Sequence, residues 1–233
     1  MHNLKFNQMG KSVINSVLSA FLAVLMVSSF MGVAQEHRSD QNGTAISLFN
    51  GKDLTGWKGE NQWWKVEDGM LVGATISKRN PEDPSWLITE KAFENFELTL
   101  WCKLEGDGNR NSGVYYRGKW NAEKQVLGYE FDLGGWAGEK ELWWGELHDP
   151  YGRQLSVSDL DKSAIKQLYN KKGWNHVRIR VQGDHIQHWL NGIKTVDWYE
   201  SDSSIQKSGF IGFQIHPESR YKVSFRSIKL AKL

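Results

Sequence analysis

The residues from Phe96 to Leu104 constrain this chain more than any other stretch. Phe96, Leu98, Leu100, Cys102 and Leu104 alternate with Glu97, Thr99, Trp101 and Lys103. Successive side chains leave opposite faces of a strand, whereas a helix would scatter these apolar residues around its circumference. The stretch therefore reads as a strand with one buried face, and such a strand needs partners. Val177, Ile179 and Val181 repeat the pattern, as do Ile186, His188 and Leu190. Shorter candidates cover 63–66, 70–72, 86–89, 194–198, 210–216 and 221–230, with one more over Glu141 to Glu146. Glu67-Asp68-Gly69 and Asn191-Gly192 supply hairpin turns between them. Only Ser158 to Tyr169 reads as a helix, with Leu160, Ala164, Ile165 and Leu168 at helical spacing and Ser158 placed to cap it. Many short strands with almost no helix predict an all-β fold, a two-sheet antiparallel sandwich.

The ends and the charge bound the function. Residues 1–34 read as a secretory signal peptide: Lys5 and Lys11 precede the uncharged run Val13 to Val33, and Gly32-Val33-Ala34 is a small-x-small cleavage site. The alternative is an uncleaved anchor, since the run is long for a leader. Cleavage implies an exported protein, periplasmic or extracellular, with no membrane contact afterwards. Residues 35–45 form a polar, flexible segment that carries the sequon Asn42-Gly43-Thr44, and residues 46–233 form one domain. The leader takes two lysines and no acid with it, which leaves 27 basic and 27 acidic residues. A neutral chain without a basic stripe excludes a nucleic-acid partner. Cys102 is the only cysteine, so no intrachain disulfide forms and the core alone must stabilise the fold. The 12 tryptophans are an unusual number: either most of them fill a β core, or some are displayed for flat, partly hydroxylated ligands that indoles stack on.

One polar row stands out from the apolar pattern. If Asn111 to Arg117 and Glu130 to Asp132 are strands, then Asn111, Gly113, Tyr115 and Arg117 share one face of the first. Glu130 and Asp132 share one face of the second. A guanidinium and two carboxylates then point the same way. The row either faces bulk water, with Arg117 and Glu130 as a cross-strand ion pair, or lines a site.

Six motifs in one order carry a resemblance. FNGKDLTGW, W-x-V-x-D-G-x-L, NSG followed by YYRG, GYE, GWN followed by HWLNG, and IGFQ-x-H followed by FRSI are similar to the 3-keto-disaccharide hydrolase family, from Leu48 to the carboxyl end. The resemblance implies a concanavalin A-like jelly-roll of the lectin and glucanase type. It also implies a ketone-assisted cleavage. A C3 ketone acidifies the C2 hydrogen, a base removes it, the C1 aglycone leaves, and water can add to the enone. On this chain Glu130 stands as the base. Arg117 stands as the stabiliser of the enolate oxygen or as a clamp for two hydroxyls. Gln214 and His216 would orient hydroxyls or donate the proton, Trp143 or Trp144 would stack on the ring, and Asn111, Tyr115 and Asp132 would bind substrate. Glu130, Asp132 and His216 are the residues placed to converge on a divalent cation. Where the family commonly has Gln two residues after GYE, this chain has Asp132, and its Leu142-Trp143-Trp144-Gly145-Glu146 also departs from the family pattern.

Two other readings use the same residues. An ordinary glycosidase would take Glu130 and Asp132 as its carboxylate pair, since residues two apart on a strand are roughly 6.6 Å apart at about 3.3 Å per residue. A non-catalytic sugar-binding module would display Arg117 and tryptophans on the same sheet. In either case the partner is an oligosaccharide or an oxidised sugar. His185 and His188 fall on opposite faces of one strand, so they do not serve one centre.

Overall fold

The computed structural model describes residues 45–59, 62–75, 83–106, 110–136, 141–217 and 220–233. The expected leader over 1–34 and the sequon at 42–44 lie outside these residues. Two antiparallel sheets account for nearly all of the regular secondary structure. The first runs in spatial order β14 (Ile193–Tyr199), β13 (His185–Leu190), β12 (Asn175–Gln182), β6 (Phe96–Glu105), β16 (Lys222–Lys232), β4 (Met70–Ala74) and β3 (Trp64–Glu67), with β1 (Ile46–Ser47) beside β16. The second runs β11 (Leu155–Val157), β10 (Leu147–Asp149), β8 (Val126–Trp136), β7 (Arg110–Trp120), β15 (Phe210–Ile215), β5 (Ser85–Thr89) and β2 (Trp57–Gly59), with β9 (Glu141–Leu142) beside β8. This is the jelly-roll sandwich that the alternating pattern and the motifs pointed to.

The hairpins close where the turn residues stand. Glu67 pairs with Met70 across Asp68 and Gly69, both at positive φ, and Leu190 pairs with Ile193 across Asn191 and Gly192, also both positive. Two consecutive left-handed residues match the right-handed twist of the flanking strands, which is why Asp-Gly and Asn-Gly serve here.

Between the sheets the alternating residues meet. Phe96, Leu98, Leu100 and Cys102 of β6 are fully buried, as are Val114 and Tyr116 of β7, Phe131 and Leu133 of β8, and Phe213 and Ile215 of β15. Phe213 stacks on Phe225 of β16 at 4.0 Å, which ties one sheet to the other. His188 also faces inward. Its Nε2 meets the Tyr116 hydroxyl at 2.7 Å and its Nδ1 meets the Gly145 carbonyl at 3.2 Å. Burial pushes it down to about 3, so it is a neutral core group. His185 points the other way, to Asp197, and the two histidines are separated as their spacing required.

Two local expectations are corrected. The helix α1 spans Lys162–Leu168, and its N-cap is Asp161, whose carboxylate accepts from the Ala164 N–H at 2.8 Å. Ser158 instead closes a turn on Leu160, which ends the extended chain before a helix can start. The strand expected over Glu141 to Glu146 stops at Leu142, because Gly145 turns the chain at φ 83° and a new strand, β10, begins at Leu147.

Candidate functional site

The polar row lies on the outer face of the second sheet, away from the core. Register places Ser156, His148, Glu130, Tyr115, Gly212, Ile88 and Lys58 side by side across β11, β10, β8, β7, β15, β5 and β2. Strand alternation therefore puts one residue from each strand on a single line perpendicular to the strands. A cleft of about 220 Å³ opens at the β10 to β15 end of this line, lined by Asn111, Tyr115, Glu130, Asp132, Trp143, His148, Pro150, Tyr151, Gln214 and His216.

Glu130 is the deepest charge in it, 3% exposed. Its carboxylate folds across β7 onto Gly113, where a Cβ would come within 1.8 Å of Oε1. Gly113 is required by this close approach, and any side chain there would displace the carboxylate. The Tyr115 hydroxyl donates to Glu130 and accepts from Gln214 Nε2 at 3.4 Å. Burial, joined by the charge of Asp132, pushes Glu130 up to about 8. Burial also pushes Asp132 upward, against the pull of His148.

His148 organises the other wall. Its Nδ1 lies 3.3 Å from Asp132 Oδ2 and its Nε2 lies 3.2 Å from Glu146 Oε2, so both ring nitrogens face carboxylates. Burial alone would lower its pKa. The hydrogen bonds to Asp132 and Glu146 outweigh burial and raise it to about 10, which leaves His148 an imidazolium at neutral pH. Glu146 is held in turn by Lys162, the first residue of α1, and by Ser156 at 3.3 Å. The loop carrying it is tied to β8: Asp132 N–H donates to Glu146 O at 3.1 Å, and Gly145 N–H to Asp132 O at 3.0 Å. Trp143 packs against the His148 ring at 6.5 Å with Lys162 over its indole.

Among the described residues, Glu130, Asp132 and His148 are the one His/Cys/Asp/Glu group able to hold a metal ion, with one ligand atom from each lying within 4.8 Å of the others. Two carboxylates and an imidazole suit a divalent cation, and Asp132 Oδ1 is buried without a hydrogen-bond partner. The donor set fits.

Of the residues that the sequence pointed to, Asn111, Tyr115, Glu130, Asp132, Trp143, Gln214 and His216 come together in the cleft. His216 is the first residue after β15, and its N–H donates to the Tyr221 hydroxyl at 3.0 Å. Two residues do not reach it. A β-bulge after Tyr116 sets Arg117 at φ 51° and turns it off the outer face. Its Nη2 donates to the Gly183 carbonyl at 2.7 Å and to Glu94 O at 3.3 Å, so the guanidinium binds backbone of the β12–β13 turn and forms no ion pair with Glu130. Trp144 is buried and stacks on Tyr169 at 5.4 Å, on the side of the loop opposite Trp143. The cation set exchanges His216 for His148. His148 and Tyr151 lie in a stretch, His148 to Gly152, that departs from the family pattern, but the sequence gives neither a role, because β10 is only three residues long, too short for alternation to show. The Glu146-Leu147-His148 alternation next to a doubtful strand was the available signal.

Comparisons with known proteins bear on the family and the fold. The profile of a family described as the 3-keto-alpha-glucoside-1,2-lyase-like domain matches residues 44–231. No curated protein sequence matches the chain. Among solved structures, a protein from Parabacteroides distasonis, provisionally described as a glycosyl hydrolase, is 26% identical with a TM-score of 0.59 over 82% of this chain and 94% of that one. The carbohydrate binding module CBM66 from Bacillus subtilis is 12% identical, with a TM-score of 0.53 over 76% of this chain and 96% of that one. The exoplasmic/lumenal domain of VIP36, in a form bound to Ca2+ and Man3GlcNAc, is 10% identical, with a TM-score of 0.58 over 81% and 88%. The last two share the fold.

Proposed function

The chain belongs to the 3-keto-alpha-glucoside-1,2-lyase-like domain family, and from that premise we propose that it is a carbohydrate-active enzyme that cleaves 3-keto-glycosides at C1 by ketone-assisted elimination. The observation that carries the reading is the Glu130 carboxylate, buried on Gly113 and pushed up to about 8. A base for a carbon acid needs a pKa near working pH and a place free of bulk water. Glu130 takes the C2 proton and charge moves onto the C3 oxygen. The C1–O bond then breaks as the C1=C2 bond forms, and the aglycone oxygen takes a proton. Water adding to the enone completes a net hydrolysis.

The other side chains divide the remaining work. The imidazolium of His148, directly across from Glu130 on the neighbouring strand, provides positive charge for the enolate oxygen. Tyr115, whose own pKa is raised by burial and by Glu130, stays a neutral donor and orients the base. His216 and the Gln214 amide stand on the opposite wall, placed to hold hydroxyls or to protonate the leaving oxygen. A divalent cation held by Glu130, Asp132 and His148 would require His148 as a neutral imidazole, and it would then replace the imidazolium and supply Lewis-acid polarisation of the ketone. The similarity to the Parabacteroides protein supports a glycosidic substrate.

A second reading rests on the same two acids. Glu130, protonated at neutral pH, and Asp132 stand on one face within reach of a single glycosidic bond, as in a retaining glycosidase. Incubation with 3-keto glycosides beside their unoxidised parents, with and without chelator, separates the two. Turnover of the oxidised sugars alone is expected. Turnover of the parents would replace elimination by ordinary hydrolysis, and binding of either without turnover would leave a sugar-binding module.

A further inference from the structure

The bulge that removes Arg117 from the outer face also delivers another residue to it. Tyr116 pairs with Tyr129 and Lys119 with Leu127, so β7 gains one residue relative to β8 and its alternation inverts. Trp120 consequently returns to the face of Tyr115. There it meets Trp86 edge to face at 6.5 Å and Phe210 at 5.9 Å, while Trp86 meets Tyr115 at 4.5 Å. Trp86 and Trp120 line a second cavity, of about 570 Å³, whose rim carries Lys58, Asp83, Glu123 and Lys124. Tyr151 lines both this cavity and the Glu130 cleft. Trp120 remains 46% exposed, an indole that the fold does not use to fill its core.

We propose that this groove is the aglycone subsite: it takes the second sugar ring of a disaccharide whose oxidised ring lies in the Glu130 cleft. The inference rests on the reading above. The cleft of about 220 Å³ is below the roughly 300–1,000 Å³ usual for small-molecule sites, so it holds one ring, and a disaccharide must extend past Tyr151. The groove offers what a pyranose ring needs, apolar faces for its C–H side and charged groups of both signs around them for its hydroxyls. A flat aromatic aglycone would leave that charged rim without partners.

The test compares Trp120→Ala with the unaltered protein on a 3-keto disaccharide, on a 3-keto methyl glucoside and on a 3-keto aryl glucoside. The substitution is expected to raise KM about 10-fold more on the disaccharide than on the methyl glycoside, the loss typical of one aromatic anchor. Trp120→Phe should recover most of it. Equal effects on disaccharide and methyl glycoside would overturn the proposal, as would an effect confined to the aryl glycoside. If the unaltered protein turns over none of these compounds, the catalytic reading fails and the groove is judged by binding alone. Titration of tryptophan fluorescence with an unoxidised disaccharide and methyl glucoside should then show tighter disaccharide binding, lost in Trp120→Ala. No preference for the disaccharide would overturn the subsite.

Discussion

Glu130 and Phe131 are neighbours on β8, and both are almost completely buried, yet they face opposite ways and do opposite things. Phe131 points inward with Val114, Tyr116 and Phe213, where burial of apolar surface stabilises the sandwich. Glu130 points outward with Tyr115, Asp132 and Gln214, where burial raises the energy of a charge. The inner face is built for stability. The outer face holds desolvated acids that stability alone would not select, and such sites are where function resides.

Substitutions on the two faces should therefore part in sign. Glu130→Gln is expected to lower turnover of a 3-keto glycoside about 10²–10⁴-fold, the contribution of one general base, while sugar affinity measured by titration persists. The same change should raise stability. The unfolded carboxyl releases its proton near 4.5 and the folded one near 8. Between those values the unfolded chain is the more ionised, so stability falls as pH rises. Removing the acid should restore up to about 3 kcal/mol at pH 7 and nothing below pH 4.5, checked by denaturant melts at both pH values.

Phe213→Ala, on the inner face of β15, should cost about 3–5 kcal/mol in the same melts, because it empties the stack on Phe225. Gly113→Ala separates position from charge. Its Cβ occupies the place of Glu130 Oε1, so kcat should fall roughly 10²-fold with KM little changed and far-UV circular dichroism unaltered. The pH profile of the chelator-treated protein probes the same base without a substitution. kcat/KM should rise about tenfold per pH unit up to about 8, as Glu130 loses its proton, and fall above about 10, as His148 loses its own. A profile flat from pH 6 to 8 would remove Glu130 from the role of base.

The difference between the faces also explains what the sequence could disclose. Period-2 alternation located the strands of the core, because each inner residue answers to water alone. It placed Tyr115, Glu130 and Asp132 correctly for the same reason. Arg117 went to the wrong face because a bulge inverts alternation without any local pattern to announce it. An arginine at φ 51° is held there by carbonyls of Gly183 and Glu94, which are distant in sequence. The role of His148 was illegible because its strand is three residues long and its pairing with Glu130 depends on the turn at Gly145. Trp144 belongs to the core through Tyr169, a contact across a loop that no spacing encodes.

The most direct measurement follows the hydrogen at C2. A 3-keto disaccharide carrying deuterium at C2 is incubated with the protein and, in parallel, without it. Loss of deuterium from the released oxidised sugar, in step with cleavage and faster than in the protein-free control, is the predicted result, and Glu130→Gln should abolish both together. Release of a sugar that keeps its deuterium would contradict proton removal by Glu130 and leave ordinary hydrolysis at C1.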